Sequence, residues 1–90
     1  MKYTQRMKDL REDADLKQTA VAKEIGISQQ YYSQYEMGKR ELPIRHLIKL
    51  CQFYNVSADY ILGFTDKKIQ LPKNATKNIE NLLSYQYLDF

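Results

Sequence analysis

Ninety residues suffice for one compact domain, and a chain 43% hydrophobic and 28% charged is neither a disordered polymer nor a fibrous repeat over most of its length. The formal charge of +3, with a pI near 9.0, permits a polyanionic partner but contributes little non-specific affinity by itself. No apolar stretch approaches the roughly 18–20 residues of a membrane span, and residues 1–7 lack the apolar segment of a secretion signal, so a soluble cytoplasmic protein without membrane contact is expected. The lone Cys51 forms neither an internal disulfide nor a multi-thiolate metal site and reads as a small core residue.

Thr4 is a candidate N-cap, and Met7, Leu10 and Ala14 follow at helical spacing, which predicts a first helix over 4–14. Val21, Ala22 and Ile25 form one face of a short second helix over 17–25, stopped by Gly26. Ser28 is a favourable N-cap for a third helix over 29–37, followed by Gly38, with Tyr32 and Tyr35 directed inward. Pro43 suits the first turn of a fourth helix, whose apolar residues Ile44, Leu47, Ile48, Leu50, Cys51 and Tyr54 lead to Asn55. Ser57 caps a fifth, one- or two-turn helix closed by Gly63.

The globular domain is therefore expected to occupy residues 1–63, with 64–90 as a C-terminal appendage. Residues 65–73 are mostly polar and contain Pro72, which reads as a linker or extended arm. A sixth helix is expected beyond it. Ile79, Leu82, Leu83 and Tyr87 give it an apolar stripe that needs covering, either by a second copy of the chain or by its own domain.

Two short helices joined by a tight turn place the second on the surface, supported by the first, a shape that enters a groove about 12 Å wide. Along that second helix Gln29, Gln30, Ser33 and Gln34 occupy positions i, i+1, i+4 and i+5, one continuous polar strip. A glutamine amide sets a donor beside an acceptor and so matches the N6 and N7 edge of adenine. The strip holds no cation, so phosphate contacts fall to its flanks: Lys17, Lys39, Arg40, Arg45 and helix N-termini. Lys49 extends the basic patch that begins at Lys39. Tyr31, at the edge of the strip, contacts a thymine methyl or a phosphate, or packs over a Lys or Arg stem.

The segments LKQTAVAKEIGIS (16–28), YEMGKR (35–40), Pro43 and VSADYILG (56–63) resemble the lambda-repressor-like, Cro-type helix-turn-helix (XRE) family across about residues 5–63. The resemblance implies an all-α, five-helix domain with helices 2 and 3 as the helix-turn-helix. Helix 3 is then the recognition helix, with Gln29, Gln30, Ser33 and Gln34 as readers. It implies that Gln18 and Ser28 touch the DNA backbone, as do Lys39 and the start of helix four, with Arg40 or Arg45 approaching the minor groove. It implies a structural ion pair between Arg11 and Glu36. The expected function is that of a transcriptional repressor binding double-stranded DNA as a homodimer on a palindromic operator, the C-terminal stripe being a natural dimer contact. The chain departs from the commoner family pattern at Tyr31, Tyr32 and Tyr35, and the Tyr32 hydroxyl must find a polar neighbour.

An enzyme is not expected. His46 is the single histidine, read as facing solvent or a phosphate, and there is no glycine-rich phosphate loop, no metal-ligand spacing and no paired carboxylates, so no metal or cofactor is anticipated. The rival reading is a protein-interaction module, such as an antitoxin or adaptor on the same fold. The hydrogen-bonding strip argues for DNA, because a protein-docking helix exposes apolar or aromatic anchors. Regulation by a protein effector acting through the C-terminal segment remains compatible with either reading.

Overall fold

The computed structural model describes residues 2–68. It contains five helices: α1 (Lys2–Asp13), α2 (Gln18–Ile25), α3 (Gln29–Glu36), α4 (Ile44–Tyr54) and α5 (Ala58–Leu62). α1 packs on α3 and α5, α2 packs on α3 and α4, and α4 packs on α5. The core where they meet is built from Met7, Leu10, Val21, Ala22, Ile25, Tyr32, Tyr35, Leu50, Val56 and Ile61.

Each helix ends in the same way. The positive-φ residues among those described are Asp15, Gly26, Gly38, Asn55 and Gly63, one after each helix in turn. The residue following each of them returns its N–H to a carbonyl in the last helical turn. Leu16 N–H reaches Arg11 O at 3.0 Å, Ile27 N–H Ala22 O at 3.0 Å, Lys39 N–H Gln34 O at 2.9 Å, Val56 N–H Cys51 O at 3.1 Å and Phe64 N–H Asp59 O at 2.9 Å. A left-handed residue with this closing bond satisfies carbonyls that a helix end otherwise leaves unpaired. Five such stops in so short a chain make every connection tight and fix the angle at which the next helix departs.

The N-termini are less uniform. Ser28 Oγ accepts from Tyr31 N–H, and Ser57 Oγ accepts from Tyr60 N–H, as their sequence context predicts. α2 begins after Lys17, which offers no side-chain cap. α1 starts at Lys2, so Thr4 lies inside the helix instead of capping it. Tyr3 explains the difference: with Met7 and Leu10 it stands at helical spacing and packs against the core, which draws the helix start ahead of Thr4. α1 also ends at Asp13, leaving Ala14 exposed in the turn. α3 ends at Glu36 with Met37 as its C-cap, and Pro43 is the N-cap of α4 instead of a residue in its first turn.

On α4 the apolar side chains divide between two faces. Leu50 is buried, and Leu47, Cys51 and Tyr54 pack partly against the core. Ile44, 75% exposed, and Ile48, one turn further on, face outward. Burial pushes the Cys51 thiol up to about 11, as suits a packed side chain and not a reactive one.

The chain beyond Gly63 does not leave the domain at once. The Arg6 guanidinium stacks over the Tyr60 ring, 4.1 Å from its centroid, and pairs with Asp66, linking α1, α5 and the following segment. The expected linker beyond Lys68 and the stripe of Ile79, Leu82, Leu83 and Tyr87 lie outside the described residues. Among the described residues no helix is long and apolar enough to cross a membrane.

Candidate nucleic-acid interface

The turn from α2 to α3 consists of Gly26, Ile27 and Ser28. Gly26 adopts φ 80°, Ile27 packs its side chain against the core, and Ser28 starts α3 by accepting the Tyr31 N–H at 3.1 Å. Ala22, buried where α2 meets α3, lets the helices approach closely, and Tyr32 and Tyr35 drive the inner face of α3 into the core. The opposite face therefore points outward. Gln29 and Gln30 are exposed there, and Ser33 and Gln34 are half-buried.

Gln29 does not stand alone on that face. Its Nε2 donates to Gln18 Oε1 at 2.7 Å, and Gln18 Nε2 in turn donates to Glu36 Oε1 at 3.2 Å. Glu36 is gripped by Arg11, whose Nε and terminal nitrogen donate to the two carboxylate oxygens at 2.8 and 3.1 Å. Arg11 also donates to Leu16 O at 3.0 Å, tying the α1–α2 connection to the end of α3. The result is a relay from a shielded ion pair through Gln18 to Gln29. Each amide in it is oriented by its neighbour, so the Oε1 of Gln29 is turned away from Gln18.

The pair is shielded from solvent, with side-chain exposures of 14% for Arg11 and 4% for Glu36. Burial pushes the Glu36 carboxyl up, but the Arg11 and Gln18 hydrogen bonds and the nearby Tyr32 hydroxyl outweigh it and hold the group below its ordinary value. Tyr32 supplies the polar neighbourhood its hydroxyl requires by lying near Glu36, although it closes no hydrogen bond there. Burial raises the Tyr32 phenol far above its ordinary value, so it is neutral at any physiological pH.

At the other end of α3 the structure adds what the sequence did not suggest. After Gly38 the backbone folds back, and Lys39 and Arg40 N–H both reach Gln34 O, at 2.9 and 3.3 Å. Arg40 is thereby returned along the helix. Its Nε donates to Gln34 Oε1 at 2.9 Å, and its guanidinium lies over the Tyr31 ring, 4.4 Å from the centroid. Tyr31 thus carries the Arg40 guanidinium on its ring face, and the ring also meets Tyr35 edge-on at 5.9 Å.

Lys17, Lys39 and Arg45 are exposed. Lys49, counted in the same basic patch, is also exposed, but its Nζ donates to Ile25 O at 3.4 Å at the end of α2. His46 is a correction: it faces neither solvent nor an open phosphate position but is 6% exposed, with Nδ1 3.0 Å from Tyr35 Oη. It stands four residues before Leu50 and shares its face of α4. Burial, reinforced by Arg45 and Lys49, lowers its pKa and favours the neutral ring. Among the described residues no group of three or more His, Cys, Asp or Glu side chains is placed to hold a metal ion.

Helical throughout, with α3 laid across α2 through a three-residue turn and an amide-rich outer face flanked by cations, the domain is a helix-turn-helix domain. The chain belongs to the family described as Helix-turn-helix, which matches residues 7–61. It is 38% identical over 81 residues to the uncharacterized HTH-type transcriptional regulator YobD of Bacillus subtilis, covering 90% of this chain and 70% of that one. It is 36% identical over 63 residues to the HTH-type transcriptional regulator ImmR of the same organism, covering 70% of this chain and 50% of that one. With the cryptic phage CTXphi transcriptional repressor RstR of Vibrio cholerae it shares 30% identity over 81 residues, 89% of this chain and 73% of that protein.

Proposed function

We propose that the protein is a transcriptional repressor that binds double-stranded DNA sequence-specifically, with α3 in the major groove and Gln29, Gln30, Ser33 and Gln34 reading base edges. The observation that carries this reading is the outer face of α3: neutral amides held in defined orientations, with charge kept to its margins. Base edges are read by hydrogen bonds of fixed direction, whereas phosphates need only positive charge nearby. Lys17, Lys39, Arg45 and the Ser28-capped N-terminus of α3 are the candidates for holding the backbone.

Gln18 acts mainly through Gln29, since both ends of its amide are engaged within the protein. One recognition helix spans too few base pairs for specificity, so the protein works as a homodimer on a palindromic site, two helices about 34 Å apart on one DNA face. Its setting is the cytoplasm and its activity is binding, without catalysis. Repression, in place of activation, is supported by the similarity to a phage repressor.

The test is selection of binding sites from random duplex DNA at one fixed salt concentration, with the wild-type protein and with Gln29→Ala, Gln30→Ala and Gln34→Ala. A two-fold symmetric motif whose positions relax one at a time supports the reading. Weak binding to all DNA with a steep salt dependence and no enriched motif refutes it and favours a protein partner.

A further inference from the structure

Resting on the reading of α3 as the base-reading helix, we propose that Arg40 is a specificity-determining positioning residue for Gln34, fixing which side of its amide faces the groove. A free glutamine amide presents either its oxygen or its nitrogen, or both side by side. Here Oε1 of Gln34 accepts from Arg40 Nε at 2.9 Å, which turns the oxygen toward Arg40 and leaves the Nε2 hydrogens for whatever lies beyond the helix.

Arg40 is held in place to do this from two directions. Its backbone N–H is tied to Gln34 O in the turn after Gly38, and its guanidinium rests on Tyr31. Tyr31 leans on Tyr35, which in turn meets buried His46. The orienting contact thus reaches back to the core, as the Arg11–Glu36–Gln18 relay does for Gln29 at the other end of the helix.

The two ends are oriented oppositely. Gln29 uses its nitrogen within the protein and turns its oxygen away, whereas Gln34 uses its oxygen and offers its nitrogen. An amide that presents its nitrogen suits edges rich in acceptors, O6 and N7 of guanine or O4 of thymine. It disfavours the N4 amino group of cytosine and forgoes the paired contact to N6 and N7 of adenine. The position under Gln34 is therefore biased toward guanine or thymine, and away from the paired contact to adenine, by a residue that need not touch the base.

The experiment is selection from random duplexes with three proteins: wild type, Arg40→Met, which keeps an apolar stem over Tyr31, and Arg40→Lys, which keeps the charge but loses the planar Nε–H. Gln34→Ala identifies the base pair concerned. The wild type is expected to select guanine or thymine there, and both Arg40 variants to shift the ratio toward adenine by about fivefold or more, with preferences elsewhere unchanged.

The inference is overturned if Arg40→Lys matches the wild type while Arg40→Met weakens every sequence equally with a shallower salt slope, since Arg40 is then a phosphate contact only. It is also overturned if neither variant alters the motif. If the wild type itself enriches no motif, the base-reading role of α3 fails and this inference with it. A wild-type motif left intact by both variants removes the inference alone.

Discussion

Arg11→Met removes half of a shielded ion pair and strands the other half. With Glu36 at 4% side-chain exposure, water has little access to the carboxylate, and loss of Arg11 leaves it the 3.2 Å bond from Gln18. Breaking a buried pair in this one-sided way costs about 3–5 kcal/mol. A domain of this size has a total stability on the order of 5–10 kcal/mol. Each 1 kcal/mol moves the melting temperature by roughly 4–8 °C, so the variant should melt lower by on the order of 12 °C or more. The double variant Arg11→Met/Glu36→Leu contains no stranded charge and should lie within about 1 kcal/mol of the wild type, because apolar replacement of a whole buried pair is often neutral.

The pH dependence separates this account from simple loss of packing. In the wild type Glu36 is held below its ordinary value, so its stabilisation is complete above the unfolded-state value near 4.3 and is lost as pH falls through the folded-state value. In Arg11→Met burial is opposed only by Gln18 and the nearby Tyr32 hydroxyl, so the carboxyl rises and acid relieves the variant by protonating Glu36. Urea denaturation should therefore show the gap between the two proteins narrowing from about pH 7 to about pH 5. The reasoning is refuted by a gap below about 1 kcal/mol at neutral pH, by one that does not narrow, or by a double variant no more stable than the single.

Ser28→Ala removes the acceptor for Tyr31 N–H, and should lower stability in urea by about 1 kcal/mol and, on the proposed role of α3, weaken operator binding. Gly26→Ala gives a Cβ that meets only Lys49 Nζ, at 3.8 Å, so its effect is conformational: about 1–2 kcal/mol of destabilisation for a left-handed alanine, read from the same denaturation curves. His46 has a lowered pKa, so its contribution is complete above the unfolded-state value near 6.5 and is lost as pH falls through the folded value. The wild-type urea midpoint should accordingly drop between about pH 7.5 and about pH 5.5, and His46→Gln should flatten that drop.

Three of the helix stops and two of the starts are legible in the sequence because each depends on one residue and its immediate neighbours. Gly26, Gly63 and Asn55 end helices in left-handed geometry, and Ser28 and Ser57 cap α3 and α5. The inward faces of α2 and α3 followed from spacing alone. What depends on two distant elements was harder to see. The early start of α1 reflects Tyr3 packing on the assembled core, and the burial of His46 reflects the facing Tyr35 hydroxyl. α4 carries enough apolar residues for two stripes, and only the positions of α2 and α5 decide that Ile44 and Ile48 face out.

The same distinction runs through the interface. The strip of Gln29, Gln30, Ser33 and Gln34 is a matter of helical period and was visible at once; the orientation of its amides is not, since it depends on Gln18 from α2 and Arg40 from the returning turn. The one available signal was Gly38 itself. A left-handed residue after the last turn of α3 reverses the chain, and a side chain two residues later can lie back along the helix. The sequence reads Arg40 as a phosphate or minor-groove contact beside the strip, yet this turn makes it part of the strip's hydrogen-bonding pattern. Neutral amides read bases well only when their donor and acceptor directions are fixed, and an exposed glutamine loses rotamer entropy when it is fixed on binding. On the proposed role of α3, anchoring Gln29 and Gln34 before DNA arrives reduces that loss, so the two relays would preorganise the reading face as well as support the fold.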